Sequence, residues 1–228
     1  MSYDLYLLPP AGKVLSSKDF QGYFQNRPNY KLTGSDAFYL NEATGVYFTF
    51  VFSEGELPEE DAGESDFSVE SEVDSLTKPH ILFNLNYYRP HTFCLEASFE
   101  LNACVVHFAL EVDDPQLNGM GRGEYSTEGF LRGWTSGNIF AIQSIQRSEE
   151  YKAAAPLTYP DDELEINWQW SFERNQLADE HRIDIFVPRI FYFMLEGQIR
   201  TAIVWTDAIP IALPKTDIVL LYREQLQK

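Results

Sequence analysis

Apolar positions recur along this chain at two spacings, and the spacing assigns most of the elements. Residues 3–8 are an apolar run stopped by Pro9 and Pro10, which predicts a first strand. Phe20, Tyr23 and Phe24 then sit at i, i+3 and i+4 behind Ser16 and Ser17, so a helix capped by one of these serines follows, with Asp19 at its positive end and Pro28 just beyond it. Residues 30–32 and 37–40 read as extended, and 41–45 (NEATG) has turn chemistry. Residues 46–52 are β-branched and aromatic throughout, which predicts a strand covered on both faces. Residues 81–88 return to strand.

The pattern at 92–109 fits two elements. Phe93, Leu95, Ala97, Phe99 and Leu101 alternate strictly, while Leu101, Cys104, Val105 and Phe108 make a helical stripe. The reading taken is a strand to about Ala97, Ser98 as cap, then a helix to about Phe108. Residues 110–112 form a short strand leading into a loop with alternating Gly119, Gly121 and Gly123. Behind that loop, 127–146 is a helix in which Gly129, Gly133, Gly137 and Ala141 recur every four residues and so share one face. Each helical Gly costs roughly 1 kcal/mol relative to Ala, so something must approach that backbone closely. Close packing is the first reading, and a groove walled by Trp134 and Asn138 is the second.

Beyond a connector at 153–162, Leu164, Ile166, Trp168, Trp170 and Phe172 alternate with polar residues, which predicts a half-buried strand. Residues 183–187, 190–195 and 199–205 also read as strands, with Glu196-Gly197 as a tight hairpin turn. Residues 218–222 close the chain as strand or short helix. Strands outnumber helices, so the expected fold is a single α+β domain over 1–228: a large, mostly antiparallel sheet with about three packed helices.

Charge changes the picture most. Thirty-five acidic residues against 17 basic ones give a net charge of −18, which repels phosphate backbones and anionic membranes and attracts basic partners. Ten of the acids, with one basic residue, fall in 53–78; this acidic run interrupts the strand pattern and is expected to be a mobile loop. Its acids do not follow the alternating spacing of a calcium loop. No apolar stretch approaches a membrane span. The start, MSYDLYLLPP, lacks the basic n-region of a secretory signal, and two cysteines, Cys94 and Cys104, suit a reduced cytoplasmic protein.

Candidate chemistry is sparse. The 119–123 loop lies between strand and helix, where backbone N–H groups can cradle phosphate, but its spacing is G-x-G-x-G, not that of a dinucleotide fingerprint. Asp113, Asp114 and Glu124 flank it, and only Arg122 offsets a phosphate. The four histidines never adopt a metal-ligand spacing, and neither cysteine sits in a nucleophile motif. No cofactor or metal is implied. The candidate binding residues are Asp113, Asp114, Gly119, Gly121, Arg122, Gly123, Tyr125, Trp134 and Asn138.

The segments SYDLYLL, NEATGVYFTF, and DPQLNGMGRGEY followed by FLRGWTSGN resemble a group of uncharacterised bacterial cytoplasmic proteins over most of the chain. In charge and size the chain also resembles the acidic single-domain immunity proteins that neutralise bacterial toxins. That second likeness implies a non-enzymatic binding protein that captures a basic protein partner. The alternative is a small-molecule or nucleotide-handling enzyme using the 119–123 loop.

Overall fold

The computed structural model describes residues 1–55, 77–148, 157, 159–180, 185–206 and 209–223. The acidic run expected to be a mobile loop lies largely outside them, as does part of the strand expected at 183–187. The fold is α+β, and it divides into two compact units, Met1–Asn41 with Val46–Pro156 and Glu42–Gly45 with Leu157–Lys228.

The first unit is a seven-stranded sheet with three helices. Its strands are β1 (Ser2–Leu8), β2 (Tyr30–Thr33), β3 (Asp36–Leu40), β4 (Tyr47–Ser53), β5 (His80–Asn86), β6 (Glu111–Asp113) and β7 (Arg122–Gly123). They lie in the order β2-β3-β4-β5-β1-β6-β7, every neighbouring pair antiparallel. Period-2 alternation sends Leu5, Phe83, Phe50 and Ala37, register partners across four strands, to one buried face. Helix α1 (Ser17–Phe24) covers that face with Phe20 and Phe24, and Ser16 caps it by accepting from Asp19 N. Each such ring contributes roughly 1.5–3 kcal/mol by burial. On β4 the opposite side, Tyr47, Thr49 and Val51, is half-buried, so the strand expected to be covered on both faces is fully covered on one.

Helix α2 (Thr92–Phe108) overturns the strand expected at 92–97. Phe93, Ala97 and Leu101 belong to a period-2 series and to an i, i+4 series alike, so the alternation could not discriminate. Burial of Cys94, Ser98 and Cys104, with Phe99 58% exposed, is that of a helix throughout. Helix α3 (Thr127–Arg147) follows β7, capped by Ser126. Cys94 and Cys104 are buried thiols that form no disulfide.

The second unit holds helix α4 (Asp161–Glu180) and a three-stranded sheet of β8 (Phe191–Leu195), β9 (Gln198–Thr206) and β10 (Ile218–Tyr222), in the order β10-β9-β8. Helix α4 replaces the strand expected at 164–172. The same ambiguity is responsible: Leu164, Trp168 and Phe172 fall on one helix face, and the Trp168 and Phe172 rings meet at 5.4 Å. The Pro160 carbonyl accepts from Leu164 N, and Asp161, Asp162 and Glu163 fill the first turn, where the helix dipole favours acids. The β8–β9 hairpin turns at Glu196-Gly197, both with positive φ (51° and 77°), as expected of a two-residue turn matched to strand twist. Residues 218–222 are a strand, parallel to β9. Four helices are thus present among the described residues, where about three were expected. Among the described residues no helix is long and apolar enough to cross a membrane.

Candidate functional site

The 114–123 loop winds around one carboxylate. Asp114 is fully buried, at 0% exposure. Its Oδ2 accepts from the Tyr3 hydroxyl at 2.7 Å, from Gly119 N at 3.2 Å and from Met120 N at 3.1 Å, and its Oδ1 accepts from Gln116 N at 3.2 Å. Its backbone N–H in turn donates to the Gly121 carbonyl. Four donors on a buried carboxylate offset much of its desolvation cost. They also use up the Gly119 and Met120 N–H groups that a phosphate would need, so the anion this loop holds is the protein's own Asp114.

The glycine face of α3 is closed by packing. Gly129, Gly133, Gly137 and Ala141 are all buried. A Cβ at Gly133 would overlap the Tyr3 hydroxyl, one at Gly137 the Tyr87 ring, and one at Gly119 the Gly129 carbonyl. The three positions explain each other: loop, strand and helix meet at backbone distance, and glycine is what permits it. Trp134, expected as a groove wall, is fully buried, and Asn138 clamps the chain after β5 by donating to the Tyr87 and Arg89 carbonyls at 2.5 and 3.1 Å. Tyr125 is half-buried with its hydroxyl 3.4 Å from the Ser98 carbonyl, and burial pushes its phenol up to about 12.

The sequence-derived candidates therefore split. Asp114, Gly119, Trp134 and Asn138 converge on one closed packing centre with Tyr3 and Tyr87. Gly121 and Gly123, with φ of 88° and 147°, shape the loop. Arg122 is exposed, and Asp113, its register partner, is half-buried. Exposed acids stand around them: Glu111 on β6, Glu124 after β7 and Glu128 on the first turn of α3, the last with its side chain 92% exposed.

Arg122 and Glu111 also line a cleft of about 560 Å³ together with Leu8, Pro9, Pro79, Lys13 and Lys78, within the size range of small-molecule pockets. Period reading could not find it, because turns and strand ends from three parts of the chain make it.

Three polar clusters were likewise missed. Glu96, buried on α2, accepts from Tyr39 Oη and Asn41 Nδ2, both at 2.8 Å. Glu100 accepts from Arg27 at 2.7 Å and Tyr30 at 3.0 Å. In the second unit, Asp217 accepts from Thr201 N and Oγ1 at 2.8 and 2.9 Å; these bonds and Arg200 hold its carboxyl below its ordinary value. Each joins residues far apart in sequence, so spacing carried no signal of them.

No protein-family model, curated protein or solved structure matches the chain.

Proposed function

We propose that the chain is a non-enzymatic binding protein of the cytoplasm that captures a basic protein partner, in the manner of an immunity protein. The observation that carries this reading is the charge of −18, together with the exposure of acids beside the central loop among the described residues. Asp114, the one acid of the central loop that is fully buried, belongs to the packing and leaves the recognition set. Glu111, Glu124 and Glu128 stand exposed around the same loop and supply the rim in its place. Acids so arranged steer a basic surface during encounter and fix register on contact. The closed glycine face and the occupied N–H groups of the 114–123 loop weigh against the nucleotide alternative.

The test is capture from a native lysate on immobilised protein at low ionic strength, with polyglutamate of equal charge as control. Retention of one dominant basic protein that the control does not hold, and that salt releases, supports the reading. Retention of acidic proteins, or of the same set as the control, contradicts it.

A further inference from the structure

We propose that the three-stranded sheet of the second unit is a self-association surface, extended at an edge by the same sheet of a second copy of this chain. β8 and β10 are its two edge strands. On β8, Phe191 is 50%, Tyr192 47%, Met194 49% and Leu195 44% exposed; on β10, Val219 is 42%, Leu220 52%, Leu221 60% and Tyr222 47% exposed. The register puts Phe191, Leu195, Leu220 and Tyr222 on one face and Tyr192, Met194, Val219 and Leu221 on the other. Exposure is therefore not that of one bare face. On β9, between them, Thr201, Ala202 and Ile203 are at 3%, 2% and 0%. It follows the position of β8 and β10 at the sheet edges, beyond which no strand lies among the described residues, and an added strand covers both faces at once.

Neither edge carries the devices that prevent such pairing. FYFML and IVLLY contain no charge and no proline, in a chain with 52 charged side chains, Lys, Arg, Asp and Glu together. Charge also selects the occupant. A basic partner finds no carboxylate on either strand, and the exposed acids of the same unit (Asp161, Asp162, Glu165, Glu196) repel an anionic bilayer. A second copy presents an identical neutral, apolar edge, so a two-fold pairing is self-complementary. Eight side chains, each about half exposed from roughly 200 Å² or less, amount to about 700 Å², close to the ~800 Å² per partner of a stable interface. A pair formed through one edge covers about half of that, which makes a weak, concentration-dependent dimer.

Two copies of charge −18 repel each other, so salt should tighten this association, opposite in sign to the capture of a basic partner. Failure of one reading is thereby distinguishable from failure of the other. The test is sedimentation velocity of the full chain over a range of protein concentrations at two salt concentrations, with Met194→Lys on β8 and Leu221→Lys on β10. Both positions are half-exposed, and circular dichroism checks that each variant folds. The expected result is a dimer that grows with concentration and with salt, its dissociation constant raised about tenfold or more by one of the two variants, because the new ammonium would be buried in the contact. Should a variant misfold, amide exchange of the wild-type protein decides: one edge strand should become slower to exchange as protein concentration rises. A monomer under all conditions, a dimer that both folded variants retain, association that weakens with salt, or edge amides already protected in the monomer would each overturn the proposal.

Discussion

The Tyr3 hydroxyl donates to Asp114 Oδ2 at 2.7 Å, joining residues 111 positions apart. The first strand is thereby tied to the loop that leads into α3, and the carboxylate receiving the bond is the centre around which that loop turns. Burial first, then the neighbouring Asp114, push the Tyr3 phenol well above its ordinary value, so it stays a donor at any pH at which the protein is folded.

Tyr3→Phe removes one of four donors from a buried charge and is expected to cost about 1.5–3 kcal/mol. Tyr87→Phe removes a buried hydroxyl that has no partner among the described residues, and is expected to be neutral or slightly stabilising. Denaturant midpoints of the two variants check the contrast. Equal midpoints would mean that the Tyr3–Asp114 bond contributes no more to stability than the Tyr87 hydroxyl does.

The glycine face gives a second contrast. Gly137→Ala places a methyl into the Tyr87 ring, and its loss, about 2 kcal/mol or more, should exceed the ~1 kcal/mol that alanine returns in a helix. Gly22→Ala, in α1 with nothing within 4 Å, should instead gain up to about 1 kcal/mol. Thermal or denaturant unfolding reads both. A stabilised Gly137→Ala protein would show the face to be open.

High pH should unfold this protein through its tyrosines. Burial, aided by neighbouring carboxylates, pushes the Tyr3, Tyr30 and Tyr39 phenols far up, and Tyr23 and Tyr87 to about 12. An unfolded tyrosine ionises near 10. The unfolded state therefore releases protons first, so this stability is complete below about pH 10 and is lost as pH rises beyond it. Phenolate absorbance followed against pH should lag for these residues and arrive together with unfolding. Titration of all 13 tyrosines near pH 10 in a protein that remains folded would contradict this.

The first strand, the capped α1, the 196–197 hairpin and the small-residue face of α3 were legible in the sequence, because each rests on local chemistry: a proline stop, a serine cap, a positive-φ turn, a repeated glycine. The spans 92–97 and 164–172 were not, because any period-2 series contains i, i+4 pairs, and Phe93–Ala97 and Trp168–Phe172 satisfy both geometries. Only tertiary burial separates them. The loop around Asp114 was marked out in the sequence, but the direction in which its carboxylate turns was not. Alternating glycines around Asp113 and Asp114 announce a loop that matters, yet that the Asp114 carboxylate would turn inward to Tyr3 depends on β1 pairing with β6, a long-range event with no mark in spacing.

The central claim, that surface acids recognise a basic partner while Asp114 serves the fold, is tested most directly by association kinetics with the captured partner at two ionic strengths. The proteins compared are wild type, the triple variant Glu111→Gln, Glu124→Gln, Glu128→Gln, and Asp114→Asn. The expected result is a wild-type on-rate that falls steeply with salt, a triple variant that is slower and less salt-sensitive with unchanged stability, and an Asp114→Asn protein that loses stability while its folded fraction binds at the wild-type rate. On-rates indifferent to salt, or an Asp114→Asn protein that is fully stable but no longer binds, would contradict it.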